Sequence, residues 1–253
     1  MEAGELGLYL MAACAFKTLL QHPASPIRHF VQSEIARRAL MGLAMGATVI
    51  GIVISPWGRQ SGGHFNPAIT LAFYRLGKVE PWDAVFYVSA QFLGATGGVA
   101  IARYFLRGAA ANHAVRYAIT APGMYGALVA FVAELAISFS LMLTVLIVTN
   151  DERIAPYTAL VLGAMIATYI TLESPLSGMS TNPARTFGSA FQAGYWHALW
   201  IYFAAPTFGM LAAAELFLRI RSGRPPSCAK LHHANGKRCI FNHDVPLNGP
   251  PTL

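Results

Sequence analysis

Two stretches decide how this chain folds: Ser61-Gly62-Gly63-His64-Phe65-Asn66-Pro67-Ala68-Ile69-Thr70 and Ser177-Gly178-Met179-Ser180-Thr181-Asn182-Pro183-Ala184-Arg185-Thr186-Phe187-Gly188. They share the tripeptide Asn-Pro-Ala, with the two asparagines 116 positions apart. Each copy follows a Ser-Gly pair and opens a short stretch with helical character, about 67–75 and 183–191. Proline at the first helical position fits both, because that position needs no backbone donor. Neither stretch reaches the roughly 20 residues that cross a bilayer. Two such segments at matching places in two halves of a hydrophobic chain point to a binding or conduction site at the membrane midplane.

The rest of the chain supplies the membrane part. Of 253 residues, 55% are hydrophobic and 11% charged, against about 25% charged in soluble domains. Six apolar runs, about 3–21, 39–56, 83–106, 125–148, 155–173 and 195–218, have spanning length. The first lacks a basic leader and a small-residue cleavage site, so it reads as a retained span. The order span, span, short motif helix, span occurs twice, in halves of about 1–110 and 125–220. Three spans per half invert the second half relative to the first. The expected fold is an all-α membrane protein of six transmembrane helices plus two half-helices in an inverted repeat. Small residues in the spans, such as Gly42, Gly46, Gly94, Gly98 and Gly163, suit close helix packing in lipid.

Residues 221–253 form a basic tail containing cysteine and histidine. Six of the 18 Lys and Arg fall in the last 35 residues. An even number of spans places both termini on one side, and the basic tail makes that side the cytoplasm. Aromatic residues lie in the apolar runs rather than among the basic ones, so nothing indicates nucleic-acid binding. Short termini and a compact core suit a bacterial inner membrane.

A half-helix starting inside the membrane points free N–H groups and its positive end inward. The non-helical lead-in must line a watery cavity or be buried in protein. Asn66 and Asn182 each precede a proline, which keeps them out of the helical region and suits them to cap the helix that follows. Their amide NH2 groups then face the centre. A water bound there by its oxygen cannot relay a proton in file, and two positive helix ends repel cations.

These paired motifs, with His64 before the first and Arg185 after the second, resemble the aquaporin (major intrinsic protein) family over residues 1 to about 220. The resemblance implies a passive channel for water and small neutral solutes, embedded in the lipid bilayer as a homotetramer. It also implies a pore built on Asn66, Pro67, Ala68, Asn182, Pro183 and Ala184. Arg185 would line the outer constriction. Family spacing carries the other constriction positions onto Ile170, Met179 and either Gly46 or, if the loop at Trp57 has gained one residue, Met45. Water-selective members usually have Phe and His in this ring, so an apolar filter puts strict water selectivity in doubt. Glycerol, ammonia and hydrogen peroxide are the alternative permeants. Thr186 and Ala190 stand where glycerol facilitators carry Asp and a basic residue, and Tyr202-Phe203 is an aromatic pair of the water-channel kind.

Glu134 and Glu2 (or Glu5) would accept hydrogen bonds from the motif loops; proton relay is the rival reading for an intramembrane carboxylate. Glu173 is either at the outer mouth or a solvated loop carboxylate. His64 is either hydrogen-bonded loop support or a pH gate. In the tail, Cys228, His232, Cys239 and His243 form Cys-x3-His twice, a ligand set for zinc in tetrahedral geometry; otherwise no cofactor is expected. An ion-coupled transporter would need titratable groups near the midplane, and no nucleophilic set or phosphate loop within the spans suggests an enzyme.

Overall fold

The computed structural model describes residues 1–232, 235–237 and 239–241. The six spans are α1 (Glu2–Gln21), α2 (Glu34–Ile54), α4 (Pro81–Leu106), α5 (Gly126–Thr149), α6 (Thr158–Leu172) and α8 (Leu199–Ile220). The half-helices are α3 (Pro67–Arg75) and α7 (Pro183–Ala193). Long helices satisfy every interior backbone group without water, the condition lipid imposes. All six are long and apolar enough to cross a membrane, the fifth when the turn Ala155–Tyr157 that leads into α6 is counted with it. Large side chains such as Leu43, Phe86, Leu93, Leu128, Leu160 and Phe208 lie exposed on their outer faces, as a surface solvated by lipid requires.

Pseudo-symmetry governs the packing. The pair α1 with α4 in the first half matches α5 with α8 in the second, and α2 packs on α6 across the repeat. Gly94 of α4 lies against the Ala3 carbonyl of α1, as Gly209 of α8 lies against the Leu135 carbonyl of α5. A side chain at either glycine would strike backbone, so both positions hold their helix pair at closest approach. This matching contact also puts Glu2 and Glu134, one residue earlier on α1 and α5, in equivalent places. Each half-helix packs on the last span of the opposite half: α3 on α8 and α7 on α4. The two repeats are therefore interlocked.

Local sequence fixes the half-helices. Asn66 (φ −154°, ψ 117°) and Asn182 (φ −147°, ψ 110°) are extended, and each side-chain oxygen accepts from the turn it caps: Asn66 Oδ1 from the Ala68 N–H at 2.9 Å, Asn182 Oδ1 from the Arg185 N–H at 3.1 Å. The lead-ins begin with short helices, Pro56–Ser61 and Ser174–Ser177, that stop at left-handed Gly62 (φ 98°) and Gly178 (φ 81°). Glycine adopts that conformation without the steric cost other residues carry.

Candidate functional site

The lead-in loops are held by a network that repeats almost atom for atom. Glu134 is fully buried. Its carboxylate accepts from the Ser177 hydroxyl at 2.6 Å and from the N–H groups of Ser180 and Thr181, both at 2.7 Å. In the first half two carboxylates share this task. Glu2 accepts from the N–H groups of His64 at 3.1 Å and Phe65 at 2.7 Å, and also from the Gln91 amide; Glu5 accepts from the Ser61 hydroxyl at 2.7 Å. Ser61 and Ser177 in turn each accept the N–H two residues on, at 3.1 Å. The Tyr87 hydroxyl donates to the Ser61 carbonyl, and the Tyr202 hydroxyl donates to that of Ser177. The roles of Gln91, Tyr87 and the two serine hydroxyls escape a linear reading, because their partners lie far away in sequence. The one available signal was the 116-residue repeat of the Ser-Gly lead-in itself.

The loops meet through the asparagines. Asn66 Nδ2 donates to the Thr181 carbonyl and Asn182 Nδ2 to the Phe65 carbonyl, both at 2.8 Å. One hydrogen of each amide is thus spent on the opposite loop, leaving the other for the cavity, a finer arrangement than two wholly free NH2 groups. The accepting carbonyls are turned into place by left-handed backbone at Phe65 (φ 30°) and Thr181 (φ 54°). Such geometry at non-glycine residues costs of order 1–3 kcal/mol, and the carboxylate-bound N–H groups of these same two residues hold it.

Two cavities adjoin this centre. The larger, about 440 Å³, is lined by Arg185, Met179, Ile170 and Met45, with Lys17, Glu34, Arg37 and Arg38 farther out. The smaller, about 40 Å³, is lined by Asn66, Asn182, Phe65, Val49, Ile69, Leu141, Leu162 and Ile166. Tyr9 borders both. Arg185 Nη1 donates to the Ala118 carbonyl at 2.9 Å, which fixes the guanidinium at the floor of the larger cavity. Ala118 closes a left-handed run, Arg116 to Ala118, that brings this carbonyl inward. Thr186 is tied to the Thr120 and Ser180 hydroxyls, at 2.7 and 2.6 Å, and so braces the loop.

Gly46, the first of the two alternatives on α2, lies elsewhere. It faces the carbonyl of Gly163 on α6, too close for any side chain. Met45, with Met41 one turn away on α2, lines the cavity that holds Arg185, and Gly46 does not. A one-residue change turns a helical position by about 100°, and the register places methionine, not glycine, on the cavity.

Glu173 is buried behind the second lead-in loop, next to the short helix Ser174–Ser177, and is not solvated. His64 is fully buried between the rings of Phe73 and Phe241, stacked at centroid distances of 5.2 and 5.4 Å. Its Nε2 lies 2.8 Å from the Ala229 carbonyl and its Nδ1 lies 3.1 Å from the Thr70 hydroxyl. The carbonyl can only accept, so Nε2 carries the proton. This is the environment of a structural ring, enclosed away from any water that would titrate it.

Of the proposed zinc set, Cys228, His232 and Cys239 are among the described residues. Among the described residues no group of three or more His, Cys, Asp or Glu could hold a metal, and His243 lies outside the described residues. Cys228 and Cys239 face each other instead, sulfur to sulfur at 3.2 Å.

Paired Asn-Pro-Ala half-helices crossing an inverted repeat are matched by the family profile of the major intrinsic proteins, over residues 6–217. The chain belongs to that family. Aquaporin NIP1-3 of Oryza sativa subsp. japonica is 38% identical over 182 residues, covering 71% of this chain and 61% of that protein. Nodulin-26 of Glycine max is 33% identical over 174 residues, covering 68% of this chain and 62% of that protein. The chain thus matches about six tenths of the length of these relatives. Both are plant proteins, so the expected bacterial subtype finds no support in them. The X-ray structure of the aquaglyceroporin from Plasmodium falciparum superposes with a TM-score of 0.70 at 20% identity, covering 87% of this chain and 94% of that one. That likeness establishes the family fold.

Proposed function

We propose that this family member is a passive channel for water and small neutral solutes that excludes protons and ions. The observation that carries this reading is the reciprocal asparagine pair. Each side chain caps its own half-helix, binds the opposite loop, and keeps one N–H for the cavity between them. A permeating water accepts from these donors and is oriented with its hydrogens pointing away, which interrupts a proton wire. The facing N-termini of α3 and α7 add positive potential at the same level.

Selection takes place at Arg185. The apolar side chains Met45, Ile170 and Met179 line the same cavity. A ring of that kind gives a permeant one set of donors and otherwise apolar walls, which suits water and also solutes such as glycerol, ammonia or hydrogen peroxide. The buried carboxylates Glu2, Glu5 and Glu134 serve the loops as hydrogen-bond acceptors: both oxygens of Glu2 and of Glu134 take lead-in donors, and Oε1 of Glu5 takes the Ser61 hydroxyl. No chemical step is ascribed to the protein. It works in a lipid bilayer as a homotetramer with one pore per subunit, with both termini in the cytoplasm beside the basic tail.

Stopped-flow light scattering on proteoliposomes tests the reading. Water permeability above that of empty vesicles, unaffected by an ion gradient, is the expected result. Permeability equal to that of empty vesicles would overturn it.

A further inference from the structure

The tail does not hang free of the channel body. Ser227 N–H donates to Asn150 Oδ1 at 2.8 Å, at the end of α5. Residues 228–231 are all buried. The Ala229 carbonyl accepts from His64 Nε2, and the Leu231 N–H donates to the Gly62 carbonyl at 2.9 Å. Leu231 then enters the smaller cavity, sharing its wall with Asn66 and Asn182. Farther on, Phe241 stacks on the other side of His64 and meets the Tyr87 ring at 6.0 Å. The first lead-in loop is therefore a receptor for two tail segments, and the side chain of Leu231 stands across the path that the proposed function assigns to the permeant.

The two docking points are joined by sulfur. Cys228 precedes Ala229, and Cys239 lies two residues before Phe241. Their sulfurs are 3.2 Å apart, and a disulfide requires about 2.04 Å, a closure of roughly one ångström. Both thiols are free, Cys228 buried and Cys239 half-buried.

We propose that Cys228 and Cys239 are a peroxide-oxidisable pair whose disulfide latches the tail as a plug, with Leu231 closing the terminal side of the pore. The inference rests on the channel reading above. The more accessible Cys239 thiolate attacks one oxygen of hydrogen peroxide, breaking the O–O bond to give Cys239 sulfenic acid and, after protonation, water. The Cys228 sulfur then attacks the sulfenic sulfur, forming S–S and expelling hydroxide, which takes the thiol proton and leaves as a second water. Two electrons pass from the sulfur pair to the peroxide, and a dithiol reductant reverses the change. Burial pushes the Cys228 thiol up to about 12, which makes it the second sulfur to react. Disulfides in a reducing compartment are typically of this transient, sensing kind.

The test uses the full chain in proteoliposomes, reduced with dithiothreitol or oxidised with hydrogen peroxide, beside Cys239→Ser, Leu231→Asp and a chain lacking residues 226–253. Peptide mass analysis is expected to find Cys228 linked to Cys239 after peroxide. Water permeability is expected to be lowest in the oxidised full chain and to stay at its reduced level in Cys239→Ser after peroxide. Leu231→Asp or tail removal is expected to raise it by about 10- to 150-fold, the ratio that burying one leucine side chain sets between docked and undocked states. Should the tail-less chain fail to fold, Leu231→Asp carries the same comparison. Peroxide leaving both thiols free, or equal permeability in the oxidised, reduced and Leu231→Asp proteins, overturns the latch while leaving the channel standing. Permeability at the level of empty vesicles in every form overturns the channel and the plug with it.

Discussion

Replacing Glu134 with glutamine removes one charge while keeping nearly the same shape, and so asks what the carboxylate is for. Its oxygens take three donors: the Ser177 hydroxyl and the N–H groups of Ser180 and Thr181. A carboxamide has one oxygen to accept with, so in Glu134→Gln its NH2 must face one of those N–H groups, donor against donor. The oxygen bound to Ser177 and Ser180 is the busier one, which leaves the Thr181 N–H unsatisfied. A buried donor left without an acceptor costs about 1–3 kcal/mol. At 1.4 kcal/mol per factor of ten, that raises the population of opened second loop by about 5- to 150-fold. Thr181 is also the residue whose carbonyl receives Asn66, so the damage reaches the centre of the pore. The expected outcome is a lower thermal midpoint in detergent and a lower water permeability per protein chain, with no change in ion or proton leak. Wild-type stability together with wild-type permeability would refute the supporting role. An abolished pH-gradient-driven flux would instead mark Glu134 as a relay.

Other perturbations separate packing from lining. Met45→Ala is expected to enlarge the cavity beside Arg185 and to raise glycerol uptake in proteoliposomes, with a fall in thermal midpoint because Met45 is buried. Gly46→Ala is expected to lower the thermal midpoint without raising glycerol uptake, because its new methyl group meets the Gly163 carbonyl; overpacking of this kind costs about 1–3 kcal/mol. Removing the guanidinium in Arg185→Val is expected to admit cations, measured as a rise in conductance of planar bilayers. Tyr87→Phe and Tyr202→Phe each lose one hydrogen bond to a lead-in carbonyl. Each is expected to destabilise by about 0.5–1.5 kcal/mol, seen as faster hydrogen exchange in residues 61–66 or 177–182.

Features set by near neighbours in the chain were legible before the structure. The α3 boundaries, Pro67–Arg75, coincide with the 67–75 expected from the motif, since an extended asparagine and a proline at the next position define a helix start by themselves. α7 runs two residues beyond its expected end, to Ala193, because Gly194 rather than the apolar pattern stops it. Register across helices was not legible: whether Gly46 or Met45 faces the cavity depends on how α2 rotates against α6, a matter of the Gly46–Gly163 contact. Nor was the docking of the tail, where Leu231 and Phe241 sit among basic residues like ordinary solvated chain. The spacing of the two cysteines pointed to proximity, and their sulfurs are 3.2 Å apart. Sequence spacing brought Cys228 and Cys239 together but could not show that His232 stays out of their cluster.

The crossing of the half-helices has a consequence for how the protein is made. α3 belongs to the first half but packs on α8, and its cap residue Asn66 donates to Thr181. A ribosome therefore delivers the Pro67–Arg75 segment well over a hundred residues before the surfaces that enclose it exist. Until Leu199–Ile220 emerges, that segment has to wait at the membrane boundary or in the translocation machinery, unable to close the loop it begins. A nascent chain stalled before residue 199 is expected to leave a cysteine placed at Ala68 open to water-soluble thiol reagents, and one stalled after residue 220 and clear of the exit tunnel is expected to protect it.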